Sequence, residues 1–156
     1  MTALQRDPQL NFPTDETHQY PGYTALHFAA HHGNTEMVIA LLMCGAHTAV
    51  HEKFGYTPLH LSAIADQPNM VELLVESGAS LEVVNNHGYT PLHSAVHYGR
   101  SEIIAMLLQS GADVNAVTYD SKSSALHLAV YQKNVDSVRQ LLNAKVDPCM
   151  RNYEDY

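Results

Sequence analysis

A four-residue string that returns on a fixed period constrains this chain more than any other feature. Thr24-Ala25-Leu26-His27 comes back as Thr57-Pro58-Leu59-His60, as Thr90-Pro91-Leu92-His93 and as Ser124-Ala125-Leu126-His127, at spacings of 33, 33 and 34 residues. Twenty-one residues after each start stand Gly45, Gly78, Gly111 and Lys145. Between them lie Leu41-Leu42, Leu74-Val75, Leu107-Leu108 and Leu141-Leu142. Self-similarity of this kind marks a repeat architecture. One unit cannot bury its own apolar face, and stacked units share a core.

Each landmark has a physical job. The Thr or Ser predicts a helix N-cap, whose side-chain oxygen accepts from an unpaired backbone N–H and contributes roughly 1 kcal/mol. Pro58 and Pro91 fall at the first helical position, where a missing N–H costs nothing. The following Leu faces the core. The small residues Ala29-Ala30, Ser62-Ala63, Ser94-Ala95 and Ala129 let helices approach closely. A second helix carries apolar pairs such as Met37-Val38 and Leu41-Leu42. Gly45, Gly78 and Gly111 end it in the left-handed region, where a side chain is costly. An extended segment such as Ala112–Ala116 and a turn holding Gly22, Gly55 or Gly88 complete the unit.

Thr57-Pro58-Leu59-His60 with Gly78-Ala79, and Thr90-Pro91-Leu92-His93 with Gly111-Ala112-Asp113-Val114-Asn115-Ala116, resemble the ankyrin repeat family. The resemblance implies an all-α solenoid of stacked helix-turn-helix units with β-hairpin-like turns. Units are expected near 19–51, 52–84, 85–117 and 118–151. Residues 1–18, with Pro8 and Pro13, read as an arm or linker before a domain at 19–156. Residues 152–156 match the turn of a fifth unit, and no polar capping helix follows. That pattern favours a segment of a longer repeat protein over a short protein whose fourth unit caps the stack.

The pattern has three breaks. One extra residue falls in 118–123, where the turn Gly is also missing, so an altered turn is expected there. Such a turn can serve recognition or be a tolerated surface insertion. Lys145 replaces the cap Gly of the last unit at a cost of about 1 kcal/mol, which predicts a looser final repeat. In the second unit Asp66 takes the place of the mid-repeat Gly, and Pro68 can open the helix after it.

Composition narrows the function. A chain with 46% hydrophobic residues can build a continuous core. Its net charge of −8 and the lack of any Lys/Arg run argue against nucleic acid and for a protein partner with a basic patch. Cys44 and Cys149 form no C-x-x-C pair, and the apolar run Val38–Cys44 is far too short for a bilayer. These features predict a soluble monomer of the cytoplasm, or of the nucleus, without membrane contact. There is no G-x-S-x-G, P-loop, G-x-G-x-x-G or H-E-x-x-H, so neither an enzyme nor a cofactor is expected. The pairs His27/His31 and His93/His97 have i, i+4 spacing, but no carboxylate or Cys completes a metal site.

The resemblance assigns the motif histidines His27, His60, His93 and His127 to the turn network between units. It places partner contacts on the concave face, at turn tips and at the end of each first helix. The expected contact residues are His31, His32, Phe54, Tyr56, His87, Tyr89, His97, Tyr98, Tyr119, Tyr131 and Gln132. Aromatic side chains are enriched at binding hot spots. Tyr56 and Tyr89, with Tyr23, can equally pack within the turn stack. Protonating exposed His31, His32, His87 and His97 near pH 6 should weaken a basic partner's binding. Asn115 stands where the family's Asn side chains are hydroxylated by an oxygen-dependent hydroxylase, or else is a turn residue bonded locally.

Three roles are therefore expected to compete. One is a regulatory binder or adaptor that masks a basic segment. Another is a spacer inside a larger repeat protein. The third is an inhibitor of Rel/NF-κB transcription factors of the IκB type. Leu59–Pro68, with its Asp66-Gln67-Pro68, and the lengthened turn before Ala125 resemble repeats of those inhibitors. The D-S-G-x-x-S signal and acidic tail of that group are missing.

Overall fold

The structure, a computed structural model, describes residues 22–145 together with Cys149 and Arg151. The expected arm, the start of the first repeat at 19–21 and the turn at 152–156 lie outside the described residues. The chain divides into two compact units, one ending at Ser80 and the other starting at Leu81.

The first unit holds α1 (Ala25–His31), α2 (Thr35–Met43), α3 (Pro58–Ile64) and α4 (Pro68–Glu76). The second holds α5 (Pro91–His97), α6 (Ser101–Gln109), α7 (Ala125–Tyr131) and α8 (Val135–Asn143). Helices this short do not persist alone in water. They persist here because each pair leans on another. In the first unit α1 packs on α2 and α3, and α4 packs on α3 and α2. In the second, α5 packs on α6 and α7, and α8 on α7 and α6. The all-α expectation holds, and an isolated antiparallel bridge, Val117–Ser124, is the strand-like pairing among the described residues.

The repeated landmarks act as their chemistry predicts. Thr24, Thr57, Thr90 and Ser124 cap the first helices, and the motif His three residues on closes a reciprocal capping box. Leu26, Leu59, Met70 and Leu74 fill the interior of the first unit; Leu92, Ile103, Ile104, Leu107 and Leu141 fill that of the second. The small residues Ala29, Ala30, Ser62, Ala63, Ser94, Ala95 and Ala129 are all buried, as close helix approach demands.

Among the described residues, four that are not glycine adopt the left-handed backbone that glycine holds elsewhere. Asp66 (φ 58°) and Lys133 (φ 56°) stand where Gly33 and Gly99 sit in the other repeats. Lys122 (φ 52°) replaces the turn Gly, and Lys145 (φ 63°) the helix-end Gly. Register thus overrides residue preference at a cost of about 1 kcal/mol per site.

The hairpin-like turns are present. The Glu52 N–H donates to the Tyr56 carbonyl at 3.1 Å, and the Asn85 N–H to that of Tyr89 at 3.0 Å. The third such turn closes one residue wider, from the Thr118 N–H to the Ser123 carbonyl at 3.0 Å. That accommodates the extra residue. One local expectation needs correction. Val114 and Asn115 form a turn inside the segment 112–116 read as extended. The Asp113 carboxylate accepts from the Asn115 N–H at 2.9 Å, and this local bond competes with extended backbone.

Candidate functional site

The motif histidines set the frame on which the surface residues stand. The Nδ1 of His27 accepts from the Thr24 N–H at 3.1 Å, so the ring carries its proton on Nε2. That Nε2 donates to the Tyr56 carbonyl at 3.0 Å, tying the first repeat to the turn of the second. Burial holds His27 neutral, with a pKa of about 4. His93 makes the same Nδ1 contact with Thr90 at 3.3 Å and is likewise pushed to about 4 by burial. The Ser123 and Ala116 backbones face its ring, yet its Nε2 makes no well-formed hydrogen bond.

A second set of buried polar groups, not foreseen from the sequence, shapes the turns. A carboxylate oxygen of Glu52 accepts from the Phe54 and Tyr56 N–H groups at 2.8 and 2.9 Å. The Asn85 side-chain oxygen does the same for His87 and Tyr89, both at 3.0 Å. Thr118 Oγ1 accepts from the Ser123 N–H at 3.2 Å. Burial raises the Glu52 pKa, and the two N–H donors partly offset that rise. The available signal was the register: a polar acceptor opens every one of these turns.

On that frame the second unit gathers most of the expected contact residues. The Tyr89 and His97 rings are 6.2 Å apart, and the His97 and Tyr98 rings 5.0 Å apart. The Gln132 amide nitrogen, at the end of α7, lies 3.4 Å from His97 Nδ1, at the end of α5. Beside Gln132, Tyr131 is 83% exposed, and Tyr98 is 48% exposed. At the turn tips the Tyr119 N–H donates to the His87 carbonyl at 3.0 Å, and Asp120 lies 3.4 Å from His87 Nδ1. Tyr119 is exposed.

The first unit carries its candidates differently. His31 and His32 meet edge to face at 5.1 Å at the end of α1. His31 is half-buried, and burial followed by neighbouring His32 lowers its pKa. The ring nitrogen Nδ1 of His32 is 2.8 Å from the Phe28 carbonyl. Phe54 is exposed on its turn tip. Tyr23, Tyr56 and Tyr89 are half-buried, each within 6 Å of the motif His ring of its own repeat, which fits packing in the turn stack. Asn115 is exposed.

Among the described residues, no group of three His, Cys, Asp or Glu side chains is placed to hold a metal ion. No described helix is long and apolar enough to cross a membrane.

Comparison with known families gives two matches. A model of ankyrin repeats in three copies matches residues 6–85 and 26–118, and a single ankyrin repeat model matches residues 121–153. No curated protein matches the chain.

Proposed function

Since this chain belongs to the ankyrin repeat family, whose members are protein–protein interaction modules and typically not enzymes, we propose that it is a regulatory binder or adaptor. Its grip is the strip Tyr89, His97, Tyr98, Tyr131 and Gln132, with the turn tips His87 and Tyr119 beside it. Phe54, Tyr56 and the His31–His32 pair are candidate contacts of the first unit, taken by itself. The preferred partner is a protein with a basic segment, which this chain masks in the cytoplasm or nucleus. The net charge of −8 supports that preference.

The observation that carries the reading is the state of Tyr98 and Tyr131. Large aromatic rings at the ends of neighbouring first helices stay 48% and 83% exposed, while their sequence neighbours His97 and Gln132 are in contact at 3.4 Å. Exposed apolar rings in a prearranged patch cost little entropy to bury against a partner. The test is affinity capture with wild type beside a His97→Ala/Tyr98→Ala/Tyr131→Ala variant. Partners lost from the variant, with thermal stability unchanged, support the assignment. A partner set that is identical for both refutes it.

Asn115 is a second, smaller proposal. Its exposed side chain suits hydroxylation by an oxygen-dependent hydroxylase. Co-expression with such an enzyme should add the mass of one oxygen atom to the chain, and Asn115→Ala should abolish the gain.

A further inference from the structure

One hydrogen-bonding pair on the exposed strip is only half used. His97, at the end of α5, and Gln132, at the end of α7, lie in the same compact unit, and both are exposed. Gln132 Nε2 meets His97 Nδ1 at 3.4 Å, and neither side chain makes another hydrogen bond among the described residues. Where the amide nitrogen donates, the His97 ring carries its proton on Nε2. The unused atoms are then that ring N–H, a donor, and Gln132 Oε1, an acceptor. With the amide turned over, the ring Nε2 is the acceptor and the amide nitrogen the donor. Either way at least one donor and one acceptor remain. The Tyr89 and Tyr98 rings meet the His97 ring edge to face, at 6.2 and 5.0 Å, and so help to fix its plane.

Few partner side chains use both atoms. Lys and Arg only donate, and ionised Asp and Glu only accept, so each would leave one of the two unpaired inside a closed contact, which is costly. A carboxamide offers both on neighbouring atoms of one plane, and that plane can lie against a Tyr ring such as Tyr98 or Tyr131. Charge adds little competing preference here. The second unit has six basic and eight acidic side chains, 6 − 8 = −2, and the first unit two and eight, 2 − 8 = −6. Most of the acidic excess that favours a basic segment therefore belongs to the first unit.

We propose that His97 and Gln132 read an Asn or Gln side chain of the partner. This rests on the binding role of the strip and adds the selectivity of its polar centre.

A phage-displayed library of random peptides, selected on the full chain at neutral pH, tests this. Retained peptides should share Asn or Gln at one position. Exchanging that residue for the corresponding acid should weaken binding about three- to tenfold, the worth of one hydrogen bond. Gln132→Glu, at an exposed site, supplies acceptors only. Selection on that variant, with a melting curve confirming that it folds, should move the preference to Lys or Arg. Peptides that need Tyr98 and Tyr131 but show no Asn or Gln preference overturn this inference and leave the strip as a binding surface. So does a preference that Gln132→Glu does not move. Peptides indifferent to Tyr98→Ala/Tyr131→Ala, or a selection that retains none, overturn the strip and this inference with it.

Discussion

Acid should unfold this protein through two of its motif histidines. In the folded chain His27 and His93 stay neutral down to a pKa of about 4, against an ordinary value of 6.5. Burial is the main cause in both. A nearby His51 lowers His27 further, and Asp113 only partly opposes the shift at His93. The geometry explains why a second proton is unwelcome. Nδ1 of each ring accepts from the N–H of the capping Thr, so protonating it would set two donors face to face.

The sign follows from linkage. Between pH 6.5 and 4 the unfolded chain binds more protons at these two rings than the folded chain does, so stability falls as pH falls. Going from pH 7 to pH 5 removes about 2 kcal/mol per ring, hence about 4 kcal/mol for the pair. That is a large part of the roughly 5–15 kcal/mol that holds a domain of this size. Glu52 acts the other way, since its raised pKa makes the folded state take up a proton first, but it is one group against two. Urea unfolding followed by far-UV circular dichroism at both pH values measures the change. Protein should be kept dilute, because the isoelectric point near 5.7 lies in the window. A His27→Gln/His93→Gln variant should be weaker at pH 7 but lose much less on going to pH 5. A wild-type loss under about 1 kcal/mol, or a variant that loses as much as wild type, refutes the reasoning.

Two substitutions test the backbone reading. Gly88 sits at φ 79°, and a Cβ there would lie 2.5 Å from the Tyr119 backbone nitrogen. Gly88→Ala should therefore cost about 2–3 kcal/mol in chemical denaturation, and a cost under about 1 kcal/mol would mean that the neighbouring turn yields easily. Lys145 holds φ 63° at the end of α8 without glycine's freedom. Lys145→Gly should raise stability by up to about 1 kcal/mol, and a loss would show that the Lys side chain contributes more than its backbone strain removes.

Most of the fold was legible because its rules are local and repeat. A cap hydroxyl, a Leu, a His and a helix-end Gly at one register fix two helices and a turn whatever lies between. The same register located Asp66 and Lys145 in glycine positions, and it places Lys133 there too once the repeats are aligned. The turn at 114–115 was misread because Asp113-Val114-Asn115 looks like half a strand in letters. The carboxylate's bond to the Asn115 N–H, and the Ala116 N–H donating to the Asp113 carbonyl at 3.4 Å, show that the chain folds back. Candidate contacts were harder to read. Tyr89 and Tyr98 are the same residue nine positions apart, yet one leans 5.8 Å from the His93 ring and the other stands in solvent. Exposure at a repeat position depends on what covers it, which no single residue records. Val96 and Val130 hold one register position, buried in one repeat and open in the next.

The lengthened turn shows how a local change is absorbed by its neighbours. In the first unit a turn of ordinary length presents the Tyr56 carbonyl to His27 Nε2 at 3.0 Å. In the second, residues 118–123 close one residue wider, around Thr118 Oγ1, Ser121 and Ser123. The buried Nε2 of His93 then lacks a well-formed bond. A buried donor left short costs on the order of 1–3 kcal/mol, so the extra residue is not neutral. The same turn sets Tyr119 and Asp120 beside His87, at the edge of the aromatic strip. If the proposed binding role is right, this loop, which leaves His93 Nε2 short of a bond and sets Tyr119 and Asp120 beside His87, belongs to the contact surface. Deleting Lys122, which restores the spacing of the other repeats, should therefore raise stability and weaken binding together. A deletion that raises stability and leaves binding intact would remove the turn from the contact surface.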